Sequence, residues 1–445
     1  MCRIFIISLT IEMRLCYCLV NKERLVKHMR FVLIGAGLRG MIYARCASEA
    51  GHEIAAVADI DEAKRACACR EFDIQESMSF PSAEALLEQE CLADAAIVAT
   101  QDRDHWGHAI AAMKKGYHLL LEKPISPDPA QTLDIARVAQ ETGRQVTVCH
   151  VLRYAPFFRE IKRIIDQGMI GRVMTIQHNE NIGNFHIAHA YVRGSWRRKD
   201  LASSLIMQKS CHDMDLLVWL AGSSCKKVAS FGDLTYFRAD HAPEGAAMRC
   251  AECRYKDTCR FSAYKCYLPV MGSWPATALT QDQTQEGLME AIRTGPYGRC
   301  VYHCDNDVCD HQVTILEFDN GVTATFNLSG FTNRMARTLK IMGEDGEIRA
   351  SEYDNVIEVI PYSSNAVDRS DVLVIHPEAP GSSHGGGDSR IVEDFLALIE
   401  GRPAEAATDI QRSVESHMMA CAAEEARESG TVVDVMQFRE RHSRR

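Results

Sequence analysis

The stretch that most constrains this chain is residues 30–40, RFVLIGAGLRG. An apolar run from Phe31 to Ile34 meets Gly35-Ala36-Gly37-Leu38-Arg39-Gly40, and residues 41–47, MIYARCA, follow as a good helix former. A strand that enters G-x-G-x-x-G and leaves as a helix opens a βαβ unit, in which the three glycines serve three purposes. Gly35 permits the tight turn, Gly37 lets the backbone approach a pyrophosphate, and Gly40 lets the helix pack on the strand. Leu38 and Arg39 begin the helix, where unpaired N–H groups and the dipole favour negative charge. A second strand, 53–58, ends in Asp59, nineteen residues after Gly40. A carboxylate there would hold the ribose hydroxyls of NAD and repel the 2′-phosphate of NADP. Glycines alone would also suit an ordinary loop, or a βαβ unit that binds no dinucleotide. The strand, the helix and the acid around them point to NAD.

The rhythm continues to His150. Helices are expected at 62–72, 82–89, 105–115 and 129–142, and strands at 95–99, 117–121 and 145–149. Gly116 and Gly143 stop two of the helices, since glycine accepts the left-handed conformation past a helix end. Short apolar strands alternating with helices imply a parallel, doubly wound Rossmann sheet over residues 29–150. Beyond it the pattern changes. A helix at 156–167 is followed from Val173 by longer, alternating strands. Segments 312–318 and 322–328 flank Asp319-Asn320-Gly321, a strong hairpin signal. Further strands are expected at 339–342 and 347–350, an inserted helix at 210–220, and closing helices at 390–400 and 409–429. Residues 270–299 read as loop. So do 382–388, with Gly385-Gly386-Gly387, either a linker or a lid over a substrate. The whole is α/β: a Rossmann domain followed by an α+β domain, 151–445, with a largely antiparallel open sheet.

Length and charge bound the functions available. At 445 residues two domains are expected. A formal net charge of −10 leaves no basic footprint for nucleic acid. No polybasic patch suggests a membrane surface, and no apolar run reaches the ~18 residues of a membrane span. Residues 4–11 resemble the core of a signal peptide, but Glu12 and Arg14 interrupt it and no small-residue cleavage site follows. Residues 1–28 read as an extension outside the fold. The chain is therefore expected in the cytoplasm, where its eighteen cysteines stay reduced. Cys46, Cys149 and Cys211 lie in apolar or helical surroundings and read as small buried hydrophobes.

Five groups of residues carry chemistry. Lys123 follows a strand at the carboxyl edge of the sheet, where open α/β sheets bind ligands. It is a surface lysine or a proton donor, base or cation in a site. His212 stands in His212-Asp213-x-Asp215 at the expected start of the 210–220 helix; it is an acid/base group or a capping histidine. Tyr191-Val192-Arg193-Gly194-Ser195-Trp196-Arg197 offers a flat apolar face and two forked donors. These suit a sugar ring and its hydroxyls or carboxylate, or a loop packed by its own Trp. Asn306, Asp307 and His311 form a polar group whose orientation the sequence leaves open. Cys250-x2-Cys253-x5-Cys259-x6-Cys266 begins with zinc-ligand spacing. Four thiolates could close a structural zinc site or hold an iron–sulfur cluster, or remain free thiols. Zinc is the expectation, because the segment looks short of core residues and a metal would order it.

Gly35–Gly40, Glu122-Lys123-Pro124 after the Rossmann unit, and a histidine followed by Asp-x-Asp in the second domain resemble the family of glucose–fructose oxidoreductase, inositol dehydrogenase and rhizopine catabolism protein. The resemblance covers about residues 30–440. It implies an N-terminal NAD(P) domain and a C-terminal α/β domain whose open sheet makes an oligomer contact, so a homo-oligomer is expected. It implies hydride transfer at a carbinol of a sugar, sugar acid or cyclitol. Thr100-Gln101-Asp102-Arg103-Asp104-His105 resembles the stretch beside the nicotinamide half of the cofactor, which brings Thr100, Gln101 and His105, with Glu122 and Lys123, into the expected cofactor site. Arg153-Tyr154-x-Pro156 resembles the opening of the second domain, and Arg153 and Lys209 join Arg193, Trp196, Arg197 and His212 as substrate candidates. Lys123 would orient the substrate hydroxyl and His212 would exchange its proton. Gln208 stands where many members have an aspartate, which leaves room for a different reaction: a glycosidase that oxidises, eliminates and re-reduces its sugar on a held NAD. A separate alternative is a non-catalytic sensor of NAD or sugar, as some Rossmann proteins are.

Overall fold

The computed structural model describes residues 28–363, 371–378, 383–404 and 408–443; the extension through residue 27 lies outside the described residues. The first sheet consists of β1 (Arg30–Ile34), β2 (Glu53–Ala58), β3 (Ser79–Phe80), β4 (Ala95–Val98), β5 (His118–Leu121) and β6 (Val146–Val148). All pairings are parallel and the order is β3-β2-β1-β4-β5-β6. Strands covered on both faces must be apolar throughout, and Phe31 to Ile34, Ala95 to Val98 and Leu119 to Leu121 are fully buried. The helices α1 (Leu38–Glu49), α2 (Glu62–Phe72), α3 (Ala83–Glu88), α4 (His105–Lys115) and α5 (Pro129–Thr142) connect them. Their ends follow local chemistry. The Asp61 and Asp128 side chains accept the first free N–H groups of α2 and α5, and Gly116 and Gly143 end α4 and α5 at positive φ. Strand order reverses between β1 and β4, which opens a crevice at the carboxyl ends of those strands.

After α6 (Pro156–Asp166) the chain builds a nine-stranded sheet from β7 (Val173–Asn181), β8 (Cys225–Asp233), β9 (His311–Phe318), β10 (Thr323–Ser329), β11 (Ala336–Gly343), β12 (Gly346–Ser351), β13 (Val356–Pro361), β14 (Leu373–Ile375) and β15 (Val433–Asp434). Its order is β14-β13-β12-β11-β7-β10-β9-β8-β15, antiparallel except where β10 runs parallel to β7. The hairpin β9–β10 turns where expected: Gly321 has φ 85°, and Asn320 Oδ1 accepts the Val322 N–H at 3.2 Å. Alternation along the strands buries one face and exposes the other. The buried face carries α7 (Leu205–Ala221) and α11 (Ile410–Ser429). The exposed face presents Met174, Phe231, Val313 and Ile315.

The closing helices return to the first domain. α10 (Gly387–Ile399) packs on α1, and α11 packs on α5. The segment ahead of α11 extends the first sheet, with the Val148 N–H donating to Thr408 O at 2.9 Å. One hydrophobic cluster accordingly runs from Val32 and Leu121 through α7 to Phe326 and Ala423.

Three expectations need correction. α7 starts at Leu205, five residues earlier than the sequence suggested, because Leu205, Ile206 and Met207 are buried and continue its packed face. His212 thus lies in the body of a helix, not at its start. Residues 270–299 contain α9 (Gln285–Thr294), in which Leu288 and Ile292 are buried; α8 (Ala263–Tyr267) precedes it. α12 (Val435–Ser443) was not expected: only Val435 and Phe438 are buried, too few to show a period.

Candidate active site

The cofactor edge is built from backbone. Gly35 has φ +95°, and a Cβ there would stand 2.5 Å from Ala99 O. At Gly40 a Cβ would stand 2.0 Å from Gly35 O and 3.0 Å from a Leu33 methyl, so only glycine lets α1 lie on β1. Gly37, which caps α1, has nothing within 4 Å of its would-be Cβ, so this surface stays open beside the first N–H groups of the helix. Cramped at two glycines and open at the third, the loop fits a pyrophosphate. Asp59 serves the loop first: Oδ2 accepts the Ala36 N–H at 2.8 Å and Oδ1 the Asp61 N–H at 2.9 Å. Each oxygen keeps a lone pair for a ribose hydroxyl.

Arg39 ties this loop to the rest of the molecule. Its guanidinium donates to Glu122 Oε1 at 2.9 Å, to Asp388 Oδ1 at 2.7 Å and to the Tyr43 hydroxyl. Burial opposes the charge, but Tyr43, Glu122 and Asp388 outweigh it and raise the guanidinium pKa. Glu122 also accepts from the Tyr43 hydroxyl at 3.0 Å and from the Lys123 N–H at 2.6 Å. Burial would raise its pKa, yet Arg39 and Lys123 hold it low, as a carboxylate. His105 braces the neighbouring strand ends, with Nδ1 at 2.7 Å from Pro124 O and Nε2 at 3.2 Å from Thr100 O. Thr100 Oγ1 lies 3.1 Å from His108 Nδ1, and Gln101 is exposed.

Lys123 leaves the end of β5 and reaches the second domain, where Nζ donates to Gln208 O at 3.4 Å. In an α-helix that carbonyl faces the amide of residue 212, so the ammonium stands one turn from His212. The His212 ring is 6 % exposed and lies edge-on to His150, 5.8 Å between centroids. A cation at the carboxyl edge of the first sheet thus reaches the helix of the second domain that carries the imidazole.

Behind the pair lies a buried charge network that the sequence did not announce. Asp213 accepts from Arg337 Nε at 2.7 Å and lies 2.8 Å from His178 Nε2. Burial would raise its pKa, but Arg337 and His178 reverse this and hold it well below the usual carboxylate range. Glu180 bridges Arg337, at 2.8 Å, and Lys209, at 3.2 Å. Glu180, His186, Lys209, Arg337, Tyr353 and Gly385 line part of a cavity of about 360 Å³. Burial, then Lys209, His189 and Lys123, drive the His186 pKa well below its ordinary value, so its ring is neutral at pH 7. Alternation around β7 and β11 was legible in the sequence, but nothing there paired Glu180 with Arg337 across the sheet.

Several substrate candidates have structural partners instead. Arg153 forms a fully buried fork with Asp215, 2.6 Å to each oxygen. Arg197 forms one with Asp305, at 2.7 and 3.0 Å. Arg193, 1 % exposed, donates to Arg299 O and Phe261 O, both at 2.7 Å. Trp196 packs on Tyr191, whose hydroxyl donates to Gln208 Oε1 at 3.1 Å. Asn306 donates to Phe237 O, the Asp307 carboxylate accepts the Lys199 N–H, and His311 pairs with Asp310. Lys209 pairs with Glu180 beside the cavity, and His212 lies on the helix that Lys123 reaches.

The zinc expectation is not supported. Among the described residues no group of three or more Cys, His, Asp or Glu is arranged to hold a metal, and Cys250, Cys253, Cys259 and Cys266 are free thiols. Cys250 Sγ accepts from Ala263 N and Arg193, each at 3.5 Å, and Cys259 Sγ accepts the Phe261 N–H at 3.4 Å. Cys266 points at Arg260 O. The segment is ordered by other means. Arg193 ties its Phe261 carbonyl to the Arg299 carbonyl, and Cys250, Ala263, Tyr267 and Ile292 form a small core. His189 stacks on Tyr297 with 4.7 Å between centroids. The sequence reading missed this core because its aromatic members come from distant stretches.

Residues 29–150 match the oxidoreductase family model for an NAD-binding Rossmann fold, and residues 162–435 match that family's C-terminal alpha/beta domain. The chain belongs to the Gfo/Idh/MocA oxidoreductase family. A Bacillus subtilis (strain 168) protein named as an oxidoreductase, YteT, is 25 % identical over 68 % of this chain and 72 % of its own length. Inositol 2-dehydrogenase 2 of Saccharopolyspora erythraea is 31 % identical over 44 % of this chain and 54 % of its own, so the match spans about half of that relative. Among solved structures, an oxidoreductase domain protein from Kribbella flavida has TM-score 0.68 at 17 % identity, covering 92 % of this chain and all of that one. An Agrobacterium radiobacter oxidoreductase crystallised with NAD+, L-tartaric acid and magnesium has TM-score 0.66 at 16 % identity, covering 92 % and 99 %. At these identities the two structures share the fold. In this family member, as in the sequence reading, the Rossmann domain is the NAD-binding part. No helix among the described residues is long and apolar enough to cross a membrane.

Proposed function

We propose that this chain is an NAD-dependent dehydrogenase that oxidises a carbinol of a sugar, sugar acid or cyclitol between its two domains. The observation that carries the reading is the meeting of Lys123 and α7 one turn from His212, at the edge of the NAD-binding sheet. NAD supplies the hydride acceptor. The chain supplies the rest. A base must reach the hydroxyl proton at ~2.6–3.2 Å and works best with a pKa near the operating pH, and an imidazole is the side chain whose ordinary range suits that task. His212 takes that proton, and the Lys123 ammonium stabilises the developing alkoxide. Gly35, Gly37 and Gly40, with the N–H groups of Leu38, Arg39 and Gly40, hold the pyrophosphate. Asp59 takes the ribose hydroxyls; Thr100, Gln101, His105 and Glu122 shape the nicotinamide end. Lys209 and the cavity beside it take the far side of the substrate. Relatives named as inositol dehydrogenases and a UDP-N-acetylglucosamine 3-dehydrogenase support a polyhydroxylated substrate. Nothing observed favours the glycosidase or sensor alternatives.

The apolar exposed face of the second sheet supports a homo-oligomer, each copy covering Phe231, Val313 and Ile315 of another. The domain division, 29–150 and 151–445, follows from the same reading. The test of function is a panel of sugars, sugar acids, cyclitols and glycosides with NAD or NADP, read by absorbance of the reduced cofactor and by product analysis. NADH accumulating with a plain polyol is expected. Release of an aglycone without net NADH would overturn the reading, and a clear preference for NADP would overturn the role of Asp59.

A further inference from the structure

We infer that Glu180 makes the site selective for an uncharged polyol, a sugar or a cyclitol, over a sugar acid. The inference rests on the reading above in which the cavity beside Lys209 takes the far side of the substrate. Lys209 follows Gln208, whose carbonyl meets the Lys123 ammonium, and stands three positions before His212 on α7. Residues three apart on a helix are neighbours on one face, so a cavity lined by Lys209 lies on the side of α7 that carries the imidazole.

A sugar acid needs a cation for its carboxylate. Arg153, Arg193 and Arg197 are committed to Asp215, to two carbonyls and to Asp305. Lys123 is assigned to the alkoxide. Of the described residues that line the cavity, Lys209 and Arg337 are the cations, and Glu180 holds both. Lys209 Nζ lies 3.2 Å from its Oε1 and Arg337 Nη2 lies 2.8 Å from its Oε2. Sheet register fixes this arrangement, since Glu180 on β7 stands directly opposite Arg337 on β11. Arg337 is held further by Asp213 at 2.7 Å and by Glu352 at 3.5 Å. Against these two cations the lining sets Glu180, Glu352 and the exposed Glu378, which pairs with Arg390 at 3.5 Å. Arg334 lies over the Tyr353 ring, 3.9 Å from its centroid, and is not among the lining residues.

Such a wall suits hydroxyls. A hydroxyl donates and accepts at once, so it can take a Lys209 N–H that Glu180 leaves over and give its own hydrogen to a carboxylate. His186, which also lines the cavity, has a neutral ring at pH 7, and its Nδ1 is buried with no hydrogen-bond partner among the described residues. It offers a polar atom without a charge. A carboxylate only accepts. Here it would meet cations already neutralised, and Glu352 of its own sign. Like charge placed against the wrong ligand gives selectivity without any added attraction for the right one.

The full chain saturated with NADH has no hydride acceptor, so saturation-transfer NMR of the ligand reads binding without turnover. The probes are D-glucose against D-glucuronate and D-galactose against D-galacturonate, alike except for a carboxylate in place of the terminal hydroxymethyl, with myo-inositol as the cyclitol. The parent should bind each neutral sugar about tenfold more tightly than its acid, or better. Glu180→Gln should bring the acid level with its neutral partner, whereas Glu180→Asp, which keeps the charge, should keep the preference. Adding Lys209→Met to Glu180→Gln should remove the acid binding gained. Glu352→Gln should narrow the gap in the same direction, and serves if Glu180→Gln does not fold. Uronates bound by the parent as tightly as the neutral sugars would overturn the inference, as would a ratio unmoved in both Gln variants. Binding of no probe would remove the substrate from the cavity, and the inference with it. Replacing NADH by NAD separates the two readings. A neutral sugar that binds but forms no NADH would end the dehydrogenase reading and leave the charge selection standing. Faster NADH formation from the uronates would do the reverse.

Discussion

At the scale of single residues, the proposed reaction draws a cation from one domain and an imidazole from the other. If His212 is the base, His212→Asn should lower kcat by about 100-fold or more while NAD affinity stays nearly intact. Lys123→Met should lower kcat by a comparable factor and weaken substrate binding. Steady-state kinetics beside NADH fluorescence titration would check both. Wild-type turnover with an unchanged pH profile in His212→Asn, together with loss in Lys123→Met, would exchange the roles. A second prediction concerns buried imidazoles. Burial lowers the pKa of His150, His186 and His417, and brings His189 down to about 4. A base whose folded pKa is depressed contributes stability that is present above its unfolded value of about 6.5 and lost as pH falls below it. Thermal melts should therefore decline from pH 7 to pH 5. In His417→Gln the decline should be shallower, although the variant starts lower because His417 accepts the Ile125 N–H. Equal slopes in both proteins would remove His417 from the account.

At the scale of elements, the glycine loop separates folding from binding. Gly40→Ala drives a Cβ into Gly35 O and the Leu33 side chain, so α1 must lift from β1. A loss of about 1–3 kcal/mol is expected, with NAD affinity falling as well. Gly37→Ala meets no protein atom within 4 Å. It should leave the melting temperature unchanged and still weaken NAD binding tenfold or more, because its methyl occupies the approach of the pyrophosphate. Urea unfolding and NADH titration of the two variants would separate the effects; equal affinities in Gly37→Ala and the parent would mean that the cofactor does not pass this residue. Helix α7 shows a different dependence. Its apolar positions made it visible, but its true start at Leu205 could not be read, because Gln208 and Lys209 interrupt the period and Gln208 is buried by partners from elsewhere.

At the scale of the whole molecule, the chain ends by binding its halves together. α10 lies on α1, α11 on α5, and Arg39 of the glycine loop reaches Asp388 at the start of α10. The cofactor loop is therefore held partly by residues some 350 positions away in the chain. The outer face of the nine-stranded sheet is the counterpart: Phe231 is 65 % and Ile315 50 % exposed, on adjoining strands. If a second copy covers it, Ile315→Asp should shift the protein toward monomer in size exclusion with light scattering, with unfolding otherwise cooperative. An unchanged mass would place any assembly on another surface.

The sequence by itself determined the parallel sheet, its cofactor loop and the order of its helices. Those features depend on local rules: apolar runs for doubly covered strands, Gly35 and Gly40 at cramped turns, aspartates and glycines at helix ends. It also singled out Lys123 and His212 as site candidates, through motif resemblance more than through physics. Only the tertiary structure decided which charges are free. Arg153, Arg193 and Arg197 look alike in sequence to any arginine that could grip a sugar acid. Their partners are Asp215, the Phe261 and Arg299 carbonyls, and Asp305, and all four lie more than sixty residues away. The cysteines followed the same logic: spacing suggested a metal, but a core assembled from distant aromatics orders their segment. Burial and long-range pairing set whether a charged or thiol group is available. Neither is encoded in the residue's neighbours along the chain.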